Sequence, residues 1–380
     1  MKQTSYQKNL RLIEFETVLS SIGVGFAVSI MTIFWNSIGM NQTDIGFTQM
    51  IFTISILLFD IPLGYIADRF NRKILNIFGD IGTAFSFVLY AIAQNMFMAM
   101  TKGVDASFIK YNAEQIDPTG ELFKKLNVKI QIARYFALFI TTALGGVIAR
   151  YSLRMAIGAS FVPYFVAGVI AFFIKDDNGK LEKKSNNPFK DMLIAFKEIL
   201  SSKKTRVLMM ASVSGNEVTH AQIWVLTPLL LLVGVPIEIV SLGWVMNFLM
   251  QTIGGRISLK MIHWKPSRMY ALPMLIEFVW MITIIIHVNI ITVWLFAFNG
   301  FVHGMVRSNL ETVLQESARN EVQTSVMSIR STFCRLLYIP VVYFVNYLGN
   351  IKLTYALLGV CIIFIPIFVI TMIGLKKEKL

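Results

Sequence analysis

Gly64-Tyr65-Ile66-Ala67-Asp68-Arg69-Phe70-Asn71-Arg72-Lys73 closes one long apolar run, 43–66, and opens another, 73–93. Glycine and alanine let two helix ends approach closely. An acid followed directly by bases can pair across those ends and with the helix dipoles. Arginine and lysine alone would make an ordinary basic turn. An acid four residues after a glycine and immediately before an arginine is a more particular arrangement. The stretch reads as a tight, charged turn between two membrane-length segments.

The rest of the chain has the same character. Its 380 residues are 55% hydrophobic and 15% charged, whereas a soluble domain is nearer about 45–50% apolar and about 25% charged. That balance argues against a soluble, disordered or disulfide-stapled protein. A bilayer-spanning helix needs about 20 mostly apolar residues. Twelve such segments are read, at 12–36, 43–66, 73–93, 95–114, 128–150, 154–174, 206–232, 237–261, 268–288, 290–315, 324–348 and 351–375. The expected fold class is an all-α polytopic membrane protein with twelve transmembrane helices.

The net charge of +13 could suggest nucleic acid, but its distribution does not. With the N-terminus placed in the cytoplasm, the inner connections carry about 26 basic residues and the outer ones about 3. The outer set is Arg150, Arg154 and Lys352, and the inner set includes Lys376, Lys377 and Lys379 at the tail. This asymmetry orients the chain, with both termini cytoplasmic, and no nucleic-acid partner is expected. The first apolar run lacks a small-residue cleavage site and carries Glu14 and Glu16, so it reads as a retained helix. Cys334 and Cys361 fall inside spans and read as small core residues.

Three parts are expected: an N-terminal six-helix bundle at 1–174, a cytoplasmic linker at 175–205 and a C-terminal six-helix bundle at 206–380. Within the linker, Phe189, Met192, Leu193, Phe196, Ile199 and Leu200 recur at helical spacing, which fits a short amphipathic helix on the membrane surface. Two similar halves joined by a basic linker fit a transporter, although any twelve-helix protein can be divided this way.

The Gly64–Lys73 stretch resembles the G-x-x-x-D-R-x-G-R-K loop of the major facilitator superfamily (MFS), with Asn71 where that family usually has glycine. Asparagine tolerates a left-handed backbone better than most residues. The resemblance implies a gate, with Asp68 as its acid, Arg69, Arg72 and Lys73 as ionic surroundings and Gly64 as the close-packing point. It also makes Lys110 a possible partner of Asp68. Leu58-Phe59-Asp60-Ile61-Pro62-Leu63-Gly64, Gly103-Val104-Asp105-Ala106-Ser107 and Glu321–Ser328 are similar to stretches of bacterial members. There are departures. The Gly-Pro of the exporter motif is Thr141-Thr142, with Gly145 and Gly146 kept, and a helix 4 arginine of many proton-coupled members is Ala99. The loop after helix 8, Gly255–Lys260, lacks the acid of the repeated gate motif.

Charges within spans cost about 2.5–3.5 kcal/mol each at a helix centre, so they persist where they face a cavity, a partner or water. Asp60, Asp80, Lys102, Asp105, Arg134, Glu217, Glu277, Arg307, Glu311, Arg330 and Arg335 are such residues. Lys102 and Asp105 lie at i,i+3, as do Glu217 and His220, while His303, Arg307 and Glu311 form an i,i+4,i+8 stripe. Such clusters either line a pathway or hold helices together as self-neutralising pairs. The resemblance places three of them on helices 4, 7 and 10, which together with helix 1 line the family's central cavity. Asp60, Asp105, Glu217, His220, Arg307 and Glu311 are therefore the candidates for proton coupling or substrate binding. Asp80 and Glu277 are read as structural. A buried carboxyl can be neutralised by a proton, a cationic substrate or a nearby base, and that competition is a basis for exchange.

The expected activity is proton-coupled export of a small amphiphilic organic compound, by alternating access in a bacterial cytoplasmic membrane. The alternatives are a proton-coupled nutrient importer and a non-transporting or lipid-translocating member of the same fold. No phosphate-binding glycine loop, zinc-spaced His or Cys set or nucleophile triad is present in the sequence, so neither an enzyme nor a metal or organic cofactor is expected. The expected partners are a small-molecule substrate and membrane lipids, the expected state is a monomer, and the suspected drive is a proton gradient. Asp68→Asn is expected to leave expression intact while cutting transport; unchanged flux in membrane vesicles would remove the gate assignment.

Overall fold

A computed structural model describes residues 2–69, 72–92, 116–117, 121–174, 196–197, 201–261, 263–317 and 323–380. No strand occurs among them. The helices are α1 (Lys2–Val28), α2 (Met31–Ser37), α3 (Gln42–Arg69), α4 (Arg72–Ile92), α5 (Glu121–Ala149), α6 (Leu153–Ala159) and α7 (Phe161–Ala171). They continue with α8 (Lys203–His220), a 3-10 turn (Ile223–Val225), α9 (Leu226–Leu232), α10 (Ile237–Lys260) and α11 (Pro266–Ile286). The last are α12 (Ile290–Trp294), α13 (Ala297–Ser317), α14 (Gln323–Ile351) and α15 (Leu353–Lys377). Eleven of the twelve apolar segments coincide with these helices; the fourth, 95–114, lies outside the described residues.

Among the described residues, five helices are long and apolar enough to cross a membrane: Lys129–Ala149, Leu153–Ala171, Pro266–Ile286, Ile329–Ile351 and Leu353–Lys377. A sixth span is the broken pair Tyr6–Val28 and Met31–Ser37, bent by 41°. Four of the expected spans are interrupted among the described residues. The first breaks at Ser29–Ile30, the sixth at Ser160, the seventh at Ala221–Gln222 and the tenth at Leu295–Phe296. Elsewhere side chains and turns meet the backbone groups left open at helix ends. Ser202 caps α8 through Thr205 N–H, Ser152 caps α6 through Met155 N–H, and Asn289 forms a capping box with Thr292. Gly39 and Gly234, at φ +92° and +81°, follow α2 and α9 in the left-handed conformation that a helix end favours. The expected linker helix lies outside the described residues except for Phe196 and Lys197, which are helical; the Phe196 ring stacks on Phe333 at 6.2 Å.

The chain divides into two compact units. The first contains Met1–Ile38, Ile54–Glu182 and Ile237–Val245; the second contains Gly39–Thr53, Lys183–Pro236 and Met246–Leu380. In the first unit, Leu10, Ile13, Ile77, Ile130, Ala171 and Ile174 form an apolar core. Helices α1 and α5 approach at small residues, so a Cβ on Gly145 would collide with the Phe26 backbone. In the second unit, α10 and α13 meet through Gly254, Gly300 and Gly304, each against a carbonyl of the facing helix. On α15 one face is buried through Leu357, Val360 and Phe364, while Ile362, Val369, Ile370 and Ile373 are exposed. Exposed apolar faces of this length suit lipid rather than water.

Gly254→Ala is expected to destabilise the protein by about 1–3 kcal/mol, because the new methyl overlaps the Phe301 carbonyl. Gly82→Ala, where no atom lies within 4 Å, is expected to be neutral, and thermal unfolding in detergent compares the two.

Candidate functional site

A ladder of polar side chains runs along three helices of the second unit. Helix α8 contributes Ser212, Asn216, Glu217, Thr219 and His220, and all but His220 are buried. Helix α14 contributes Arg330, Cys334 and Tyr338, spaced i,i+4,i+8 and so on one face. Helix α13 contributes His303 and Glu311.

At the first rung Arg330, only 7% exposed, donates through Nε to Ser212 Oγ (2.5 Å). It also pairs through Nη1 with Glu311 Oε1 at 2.9 Å. One guanidinium thus ties three helices, and its Nη2 has no hydrogen-bond partner among the described residues. One turn on, the Cys334 thiol hydrogen-bonds the Glu217 carboxylate. Glu217, 3% exposed, also accepts from Asn216 Nδ2 at 2.6 Å. Arg330, Glu217 and Glu311 all act electrostatically on that thiol, so two carboxylates and one guanidinium surround it. At the third rung the Tyr338 hydroxyl accepts from Trp224 Nε1 at 2.9 Å, and its ring meets His220 edge-on. His220 stacks on His303 with centroids 4.9 Å apart, and His303 Nδ1 lies 2.9 Å from Thr219 Oγ1.

The first unit carries a second buried polar group, among α1, α4 and α5. Glu16 accepts from Asn76 Nδ2 at 3.2 Å, and Ser20 donates to Asp80 at 3.1 Å. Arg134 Nε donates to Ser21 at 3.0 Å, and Lys129 pairs with Glu14 at 3.2 Å near the more exposed end. Asp80 therefore joins α4 to α1.

Residues 123–342 match the sequence profile of the Major Facilitator Superfamily. The chain belongs to that superfamily. An uncharacterized MFS-type transporter of Methanocaldococcus jannaschii is 24% identical over 177 residues, which is 43% of this chain and 43% of that protein. The match thus spans less than half the length of that curated relative. Among solved structures, a bacterial homologue of the human lysosomal transporter Spinster, inward-facing and unoccupied, aligns over 98% of both chains with a TM-score of 0.70 and 12% identity. A D-xylose–proton symporter aligns equally well, at 13% identity, 98% of both chains and a TM-score of 0.70. At these identities the likeness establishes the MFS fold, a multi-pass membrane architecture.

The residues expected to form a gate fall at one helix connection. Gly64, Asp68 and Arg69 close α3, and Arg72 and Lys73 open α4, with 70–71 between them outside the described residues. Lys73 is half-buried; the side chains of Gly64, Asp68, Arg69 and Arg72, and of Asp60 further back on α3, lie outside the described set. So do Asp105, Lys102 and Lys110 entirely, and the side chain of Arg307, whose backbone is in α13. The structure gathers Glu217, His220 and Glu311 into one ladder. It gives Glu311 a partner, Arg330 of α14, that the stripe on its own helix did not foretell. Sequence reasoning missed the role of Arg330, Cys334 and Tyr338 as a set, although their four-residue spacing was there to read.

Arg330→Met is expected to cost about 3 kcal/mol, because it strands Glu311 without its buried counter-charge. The double variant with Glu311→Gln should lose clearly less than the sum of the single losses, as read by thermal unfolding.

Proposed function

We propose that this protein is a secondary active transporter that works by alternating access and exports a small amphiphilic organic compound in exchange for protons. The ladder carries this reading: on α8 a buried acid, Glu217, stands beside an amide of its own helix and a thiol and a guanidinium of α14. Helix α8 is the seventh apolar segment, which in the MFS pattern faces the central pathway. An acid so placed can hold either a proton or a cationic group of a substrate, but not both, and such competition links the two flows. His220 and His303 extend the chain of proton-accepting groups toward the break after α8. Asp60, Asp105, Arg307 and Glu311 are the further candidates, and Gly64–Lys73 is the gate.

On this reading the protein is a monomer in the cytoplasmic membrane of a bacterium, with both termini in the cytoplasm. It needs no cofactor beyond the proton gradient, and its partners are its small-molecule substrate and lipids. A second reading, proton-coupled uptake of a nutrient, is favoured by one observation: Thr141-Thr142 stand where exporters carry Gly-Pro.

Flux measured in right-side-out and everted vesicles separates these readings. Substrate-driven proton release supports export, co-uptake supports import, and no flux under any gradient removes both. Glu217→Gln is expected to flatten the pH dependence of flux, and an unaltered profile would assign the coupling to another acid.

A further inference from the structure

Glu277 on α11 is 0% exposed, yet no cation is recorded with it among the described residues. Its company consists of neutral amides. Gln222, at the break after α8, donates Nε2 to Glu277 Oε1, and Asn299 at the start of α13 donates Nδ2 to the same oxygen at 2.9 Å. The same two amides answer carbonyls of the last turn of α8: Gln222 reaches Val218 O at 3.1 Å and Asn299 reaches Thr219 O at 3.3 Å. Asn247 on α10 backs them, donating to Asn299 Oδ1 at 3.4 Å and accepting from Gln251 at 2.8 Å.

Two buried oxygens remain without a hydrogen-bond donor among the described residues, Glu277 Oε2 and Gln222 Oε1. They belong to two side chains already joined through their other atoms. A carboxylate at this depth with no counter-charge is the costliest arrangement a membrane interior allows. A neutral amide at position 277 would accept the same two hydrogen bonds without that cost. One added positive charge resolves both features at once. It neutralises the acid, and it gives the orphaned oxygens either a shared proton or a hard ion to coordinate.

We propose that Glu277, Gln222 and Asn299 form a buried binding site for one monovalent cation, a proton or a sodium ion. Thr219 connects it to the ladder, since its carbonyl accepts from Asn299 while its hydroxyl meets His303. Other titratable groups stand near. Cys361 lies within the field of Glu277 from α15, Glu217 and His220 lie on α8, His303 on α13 and Tyr270 on α11 itself, while α12 contributes none. The pH response of the wild type therefore has several sources, and its difference from the variant is the quantity read. The site concerns binding alone and stands whatever the substrate or direction of transport.

The test is thermal unfolding of the purified full-length protein at constant ionic strength, with sodium exchanged for choline at several pH values. If sodium is the occupant, sodium raises the unfolding temperature where choline does not. If the proton is the occupant, stability falls as the pH is raised and is indifferent to sodium. In either case Glu277→Gln abolishes that increment. Gln222→Met, which keeps the acid and removes its amide, shifts the half-saturating cation concentration by roughly tenfold. Equal sodium and pH responses in wild type and Glu277→Gln, or neither response in the wild type, overturn the proposal. If Glu277→Gln does not accumulate, an unchanged half-saturation in Gln222→Met overturns it. No flux is measured, so failure here leaves the transporter reading untouched.

Discussion

Hydrocarbon offers no hydrogen bonds, and that constraint decides how every polar group in this chain is placed. Helix formation satisfies the backbone internally. What remains are side chains, and the cheapest solution for a hydroxyl is the carbonyl one turn back. Thr17, Ser21, Thr53, Thr83, Thr141, Ser214 and Thr371 all take it. Amides and ionisable groups carry more donors and acceptors than one such carbonyl can answer. They reach across to other helices, and the helices must come close enough to be reached. The glycines of α10 and α13 serve that need: by letting the backbones touch at Gly300 and Gly304 they bring Asn247 within reach of Asn299.

The same constraint makes the helix breaks informative. A break in a membrane helix frees carbonyls that must be met by something nearby. After α8 they are met by Gln222 and Asn299, so this break is held open by dedicated amide donors. The break between α1 and α2 occupies a similar place, in the first segment of the opposite half of the sequence. Ser29 and Thr32 are fully buried around it.

How much of this was legible in the sequence follows from the range of each interaction. Apolar segments announce themselves because about 20 residues repeat one message. The breaks do not, because Val28–Met31 and His220–Gln222 contain neither proline nor glycine and are set by tertiary partners. The Arg330–Cys334–Tyr338 face was visible as spacing, but Cys334 reads as a small apolar residue until Glu217 is found beside it. Glu277 reads as a supporting acid for a related reason. Its partners are 55 residues before and 22 residues after it, and they are amides, which no charge-pairing rule searches for.

Two buried acids of the second unit therefore differ in kind. Glu217 keeps mixed company, a thiol, an amide and a neighbouring guanidinium. Glu277 is held by two amides, and its own Oε2 and the Gln222 Oε1 are the oxygens that a bound cation would satisfy. The two are joined by the last turn of α8. Glu217 sits in it, its carbonyl receives Ala221 N–H, and Val218 and Thr219 offer the carbonyls that the Glu277 amides hold. Gln222 and Asn299 thus tie Glu277 to two carbonyls at the broken end of α8. The Glu217–Cys334 rung lies less than one turn away from that end, so an ion at Glu277 and a ligand at Glu217 would act on the same short piece of backbone.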